Sequence, residues 1–461
     1  MTEIIPVDTP SLGDRSYLVT DGEVAFVVDP QRDIDRMLRL AERRGVDIRH
    51  VFETHVHNDY VSGGPALAAA TCADYHVNAA DPVAFDRSPI EDGDVIETGG
   101  QTRLRVVATP GHTFTHLSYV LEAADRPPAV FTGGSLLHGT TGRPDLLGPE
   151  HTGTLARAQY ASAHRLAREL PPETDVLPTH GFGSFCSAVQ SDVTESTIGD
   201  ERRGNPVLTS GEEEYVRSLL AGLDAYPAYY AHMAPLNRAG ADAPDLSAPR
   251  RADAAELRRR LRAGEWVVDL RSRTAFAAGH LPGALNFGLD GDFVVYLGWL
   301  VPWGTPVTLL GETPRDIADA QRELARIGID RPAAAATGGP ADWTGDDKPE
   351  STPVATFADL AAVRRHRPVV ILDVRRAAEW RESHLPGSVN IPLHELPSRL
   401  GEVPAGEVWA HCASGYRASI AASILAAAGR DVVAIHDDYD PNTVILQFVA
   451  DSGADLARNH P

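Results

Sequence analysis

The chain has 461 residues, 43% of them hydrophobic, with 42 Lys+Arg against 64 Asp+Glu for a formal net charge of −22. That length predicts about three domains of roughly 150 residues, each with enough apolar material for a core. The acidic balance argues against nucleic-acid or anionic-membrane binding. No apolar run reaches the ~18 residues that span a bilayer, residues 1–14 lack the marks of a secretion signal, and three scattered cysteines make no disulfide framework, so a cytoplasmic protein is expected.

Residues 1–235 alternate short strands (17–19, 24–28, 104–107, 129–131) with helical stretches (34–44, 154–170). Beyond a β-rich stretch at 50–52 comes His55-Val56-His57-Asn58-Asp59-Tyr60. Strand-like alternation there predicts His55, His57 and Asp59 on one side of the backbone. Two imidazoles and a carboxylate can hold zinc or iron with a position left open for chemistry. Further on lie Thr109-Pro110-Gly111-His112-Thr113, Phe131-Thr132-Gly133-Gly134, Gly142-Arg143-Pro144-Asp145 and Pro178-Thr179-His180-Gly181. Cys72 and Cys186 read as small buried apolar residues, and 235–249 and 345–353 as linkers.

The second half contains an internal repeat. Val268-Asp269-Leu270-Arg271, Phe276, His280-Leu281-Pro282-Gly283 and Asn286 recur 104 positions on as Leu372-Asp373-Val374-Arg375, Trp380, His384-Leu385-Pro386-Gly387 and Asn390. Each copy runs on into a strand, a tight loop and an Ala-rich helix, an α/β unit of about 100 residues. In the second copy that loop is Cys412-Ala413-Ser414-Gly415-Tyr416-Arg417. A cysteine between a strand and a helix N-terminus meets backbone N–H groups that favour a thiolate nucleophile, Gly415 lets the loop curl, and Arg417 can add a fixed positive charge. The first copy has Gly311 and Asp316 at the equivalent positions, so it is expected to be inert and to pack, position or dimerise.

These elements resemble two known families. The His55–Tyr60 segment, His112, the Phe131–Gly134 run and His180 are similar to the metallo-β-lactamase pattern, with Tyr60 where that family has its final His and Gly134 where it has Asp. The resemblance implies one metal ion on His55, His57 and His112, the second-metal site being reduced to Asp59 and His180, with His116 or His138 as replacement ligands or outer contacts. Residues 355–437 resemble a rhodanese (sulfurtransferase), which implies that Cys412 carries a persulfide beside Arg417. The Gly142–Asp145 element resembles persulfide dioxygenases, where Arg143 would meet a glutathione carboxylate or else form a structural pair with Asp145.

The expected protein is therefore an α/β multidomain chain. An αββα metallo-β-lactamase sandwich (1–235) precedes an inactive (250–345) and an active (354–461) rhodanese domain, each built on a parallel sheet. The implied activity is oxidation of glutathione persulfide, or a related small persulfide, by O2 to sulfite. Fe(II) is the expected metal, with Zn(II) as the alternative; neither nucleic-acid nor membrane partners are expected, and the oligomeric state is not legible, although the inert repeat makes a homo-oligomer plausible. Two other readings remain open: a glyoxalase II-like thioester hydrolase, which normally needs the two-metal set, and a sulfurtransferase with a metal-free scaffold. The role of 440–461 is not legible.

Overall fold

The structure is a computed structural model that describes residues 1–442 and 444, apart from 101 and 192. Its contacts divide the chain into two compact units, Met1–Asp245 with Arg322–Asp330, and Leu246–Gln321 with Arg331–Pro461. Among the described residues no helix is long and apolar enough to cross a membrane.

In the first unit, strands β1 (Glu3–Thr9), β2 (Asp14–Thr20), β3 (Val24–Val28), β4 (Asp47–Phe52), β5 (Asp74–Asn78) and β6 (Ser88–Ile90) form one sheet in sequence order. The first three pair antiparallel and the rest parallel. A second sheet comprises β7 (Val95–Gly99), β8 (Thr102–Ala108), β9 (Leu117–Ala123), β10 (Ala129–Gly133) and, after the small hairpin β11 (Leu136–Leu137) and β12 (Thr140–Thr141), β13 (Asp175–Pro178), which adds parallel to β10.

Strand residues alternate between two cores, as a sheet buried on both faces requires. Tyr17, Val19, Phe26 and Phe52 meet Leu104, Val106, Tyr119 and Phe131 of the other sheet, whereas Leu18, Val27 and Val51 turn outward onto Met37 and Leu40 of the helix Asp35–Arg44. On the far side Val107, Val120 and Val130 pack on Ala156, Ala163 and Leu166 of the helix Pro149–Glu169. The result is the expected αββα sandwich. Its end differs from expectation: the segment read as a linker from 235 begins inside a helix, Tyr230–Ala239, which contains Pro235. Cys72 is also exposed rather than buried, in the left-handed cap of the helix Gly64–Thr71.

The second unit holds the sheets of both repeats. The first has the parallel order β15 (Leu285–Asn286), β14 (Trp266–Asp269), β16 (Val307–Gly311), β17 (Ala334–Thr337). The second has β18 (Val354–Ala355), β22 (Val432–Ile435), β21 (Val408–His411), β19 (Val370–Asp373), β20 (Val389–Asn390).

The repeated motif explains itself as a brace. Asp269 accepts the N–H and guanidinium of Arg271, which also donates to the Gly279 carbonyl. Asp373, Arg375 and Ser383 repeat that arrangement. Asn286 and Asn390 each donate to the carbonyls on both sides of the Asp-x-Arg turn. Arg271 lies over Trp343 and Arg375 over Tyr439, so Tyr439 fills the aromatic place although the sequence after Asp437 departs from the first copy. Residues 445–461 of the expected last domain lie outside the described residues.

Candidate metal centre and sulfur loop

β4, β8, β10 and β13 all finish at one end of the sandwich, and the loops that follow bring six buried histidine and carboxylate side chains together: His55, His57, Asp59, His112, His116 and His180. Four of the imidazoles, His55, His57, His112 and His180, are each anchored by one nitrogen. His55 Nδ1 donates to Thr54 Oγ1 (2.9 Å), whose own hydrogen goes to Asp29 Oδ2 (2.7 Å). His112 Nδ1 donates to the Arg143 carbonyl (2.8 Å), and His180 Nδ1 to Asp14 Oδ1 (2.8 Å) with Asp59 Oδ2 at 3.1 Å. An outer acceptor on one nitrogen fixes the tautomer that leaves the other free to ligate. Nε2 of His112 has no hydrogen-bond partner among the described residues, Nε2 of His55 and His180 stand 3.5 Å apart, and ligand atoms of His55, His112 and His180 lie within 4.8 Å of one another.

This trio differs from the expected His55, His57 and His112. Residues 53–60 are bends and loop rather than strand, so the assumed alternation does not hold there. His57 is anchored in the same manner but through Nε2, to Tyr60 Oη (3.0 Å), Glu53 Oε2 (3.1 Å) and Asp29 Oδ1 (3.3 Å), which leaves its buried Nδ1 without a hydrogen-bond partner among the described residues. It falls with Asp59 and His180 in a second, overlapping group of ligand atoms. His116 is not a replacement ligand: its Nε2 accepts the Gly134 N–H (3.0 Å) and its Nδ1 meets Thr109 Oγ1 (2.9 Å). His138 is committed to the Val176 carbonyl.

The electrostatics suit a cation. Burial and the neighbouring imidazoles hold His55 well below its ordinary pKa, and burial with His180 pushes His112 down to about 3, so both are neutral. Burial would lower His180 too, but Asp59 and Asp14 prevail and raise it to about 9. Burial and Asp59 push Asp14 up to about 7. For His57, Asp29 and Glu53 outweigh burial and hold it well above its ordinary value.

Asn237 also serves this centre. Its Nδ2 donates to the carbonyls of His57 (2.9 Å) and Tyr60 (2.8 Å), and its Oδ1 accepts the Ser62 N–H (2.8 Å). It ties down the histidine loop from a helix more than 170 residues later in the chain.

The sulfur loop lies in the second unit. β21 ends at His411, and Cys412 follows, 2% exposed, before the helix Tyr416–Ala427. Gly415, at φ +98°, turns its N–H onto Cys412 Sγ (3.1 Å), a conformation that favours glycine. Arg417 does not stand alone as a positive charge: Glu379 takes both of its terminal nitrogens (2.7 and 2.8 Å). Burial would raise Glu379, but Arg417 holds it down to about 2. The first repeat packs on this loop, with Tyr416 Oη donating to the Gly288 carbonyl (2.8 Å), Ser419 Oγ to Asn286 Oδ1 (2.7 Å), and Tyr296 against the Tyr416 ring (6.0 Å). In the first repeat, Gly311 closes β16 where Cys412 follows β21, and it offers no thiol.

The metallo-beta-lactamase superfamily matches residues 14–180, and the rhodanese-like domain matches 253–346 and again 356–440. Persulfide dioxygenase ETHE1 of Homo sapiens is 31% identical over 205 residues, 44% of this chain and 74% of that protein. The chain belongs to the metallo-beta-lactamase superfamily and carries two rhodanese-like domains behind that fold.

Other relatives include hydroxyacylglutathione hydrolases of Polaromonas sp. (34% identical over 172 residues) and Nitrosococcus oceani (32% over 171), matches that cover 36% of this chain and 62% of each relative. A metallo-beta-lactamase of Staphylococcus aureus has a solved structure similar to this one, with a TM-score of 0.64 and 26% identity over 73% of this chain and 99% of that one.

Against the superfamily pattern, Tyr60 is accounted for as the hydroxyl on His57, and Gly134 as room for His112. Arg143 is the structural alternative of the two expected. It is 3% exposed, bidentate with Asp145 (2.7 and 2.8 Å), bonded to the Phe185 and Asp224 carbonyls, and stacked on Tyr226. A guanidinium with four of its five N–H donors so engaged is part of the wall rather than a carboxylate clamp.

Proposed function

We propose that this protein oxidises a low-molecular-weight persulfide, with glutathione persulfide as the expected substrate, to sulfite, and that Cys412 relays sulfane sulfur to and from that substrate. The observation that carries this reading is the convergence of His55, His112 and His180. These are three anchored imidazoles whose ligand atoms lie within 4.8 Å of one another, with His112 Nε2 lacking any hydrogen-bond partner among the described residues, in a chain that also carries a rhodanese thiol. The similarity to a persulfide dioxygenase over 74% of that relative's length supports it further.

The donor set fits a divalent transition metal: the His55 and His112 imidazoles are neutral, and a bound cation would displace the proton that Asp59 and Asp14 hold on His180. Iron(II) held there would supply an open position and redox chemistry with O2. The overall reaction balances as RSSH + O2 + H2O giving RSH + sulfite + 2 H+. The chain's own residues orient and insulate. Thr54, Asp14 and the Arg143 carbonyl fix the ligand rings, and the near-complete burial of all three histidines keeps bulk water from the centre. At the second site the Cys412 thiolate attacks the outer sulfur of a donor persulfide. A new S–S bond forms on Cys412 as the donor thiolate leaves, and attack by a small thiolate on that outer sulfur reverses the step.

Hydrolysis of a glutathione thioester is the second reading. It is favoured by His57, Asp59 and His180, which form a second group of ligand atoms, and by the hydroxyacylglutathione hydrolase relatives. Product analysis separates the two. Iron-loaded protein given glutathione persulfide and O2 is expected to yield sulfite, and zinc-loaded protein given S-lactoylglutathione is expected to leave it intact. Thioester hydrolysis without sulfite formation overturns the persulfide reading.

A further inference from the structure

A separate set of ligand-type side chains lies on the first sheet, outside the centre described above. β4 and β5 pair in parallel with His50 opposite Asp74 and Phe52 opposite His76, so positions 50, 74 and 76 leave the sheet on one face. His50 Nδ1 stands 3.1 Å from His76 Nε2 and 3.9 Å from Asp74 Oδ2, and one ligand atom from each residue lies within 4.8 Å of the other two. Three donors at those separations are close enough together to share one ion.

The surroundings prepare the donors. The His76 ring stacks on Phe52 (4.4 Å between centroids, 11° apart) and is buried, and its Nδ1 has no hydrogen-bond partner among the described residues. Burial pushes His76 down to about 4 and lowers His50 as well, and the hydrogen bond between His50 Nδ1 and His76 Nε2 gives way when the free His76 Nδ1 takes up the ring hydrogen and both facing nitrogens turn to an ion. Asp74 is 67% exposed in its side chain and leaves the group open to solvent on one side, where water can complete the coordination.

We infer that His50, Asp74 and His76 form a second cation site, distinct from the buried centre, that takes a borderline divalent ion of the Zn(II) class and clips β4 to β5. Two nitrogens and one oxygen are the donor set such an ion accepts. β4 leads directly into the histidine loop, and the Glu53 N–H donates to the His76 carbonyl (3.1 Å), so the clip braces the strands from which the buried centre hangs. An ion bound only by the folded chain raises its stability.

Zinc content after equilibrium dialysis against free zinc tests this, with folding of each variant checked by circular dichroism. Wild-type protein is expected to hold one equivalent more than His50→Gln/Asp74→Asn, and His112→Ala one equivalent more than the triple variant. Added zinc is expected to raise the melting temperature of His112→Ala but not that of the triple variant. Equal zinc in wild type and folded His50→Gln/Asp74→Asn overturns the site, and that comparison decides alone if His112→Ala does not fold. The outcome does not depend on which reaction the buried centre performs.

Discussion

A Cβ placed on Gly134 would stand 2.3 Å from Cδ2 of His112 and 2.8 Å from its Nε2, far inside van der Waals contact. The ring cannot retreat, because its Nδ1 is tied to the Arg143 carbonyl and Gly142 closes the other side, where a Cβ would come 2.9 Å from that same nitrogen. The glycine that replaces the superfamily's carboxylate is therefore the space His112 occupies. Gly134→Asp is expected to weaken metal binding by ~10–100-fold, the range seen when the support of a ligand is disturbed. Competition against a chromophoric chelator measures it. Tighter binding in the variant would mean that the centre lacks a carboxylate and can still accept one.

Asn237→Ala removes three hydrogen bonds to the histidine loop and leaves buried backbone groups of His57, Tyr60 and Ser62 unpaired. A loss of about 1–3 kcal/mol is expected from such orphaned groups, together with weaker metal binding. Urea unfolding of metal-free protein reads the first effect and chelator competition the second. An unchanged metal affinity would make Asn237 a matter of stability alone.

The Glu379–Arg417 pair predicts a pH effect with a definite sign. The folded carboxylate titrates near 2 against an ordinary value of 4.5. Its contribution is fully present above the ordinary value and is lost as pH falls through that range toward 2. Glu379→Gln is therefore expected to be less stable than wild type near neutrality and to lose less stability on acidification, the two curves converging near the lower limit. Urea midpoints across that range check it, and parallel curves would show that the pair adds nothing to folding.

The local parts of this architecture were legible in the chain. The repeat could be read because Asp269, Arg271 and Asn286 bond to groups within about twenty residues of themselves, so each copy carries its whole brace. Cys412 could be read because strand, glycine and helix are contiguous. Long-range partners could not. Asn237 sat in a segment that reads as a linker, and Asp29 and Glu53 belong to none of the motifs, yet folding sets both on His57. The choice between His57 and His180 also depended on the loop conformation of 53–60, which alternation misjudged.

Oxygen uptake and bound iron, measured together on iron-loaded wild type, His180→Ala, His57→Ala and Cys412→Ser with glutathione persulfide supplied directly, test the central claim. His180→Ala is expected to lose both iron and oxygen uptake, and Cys412→Ser to keep both while losing sulfur transfer from thiosulfate. If His180→Ala consumes oxygen and holds iron like wild type, the centre is not built on His55, His112 and His180. If His57→Ala alone fails, the ligand set is His55, His57 and His112.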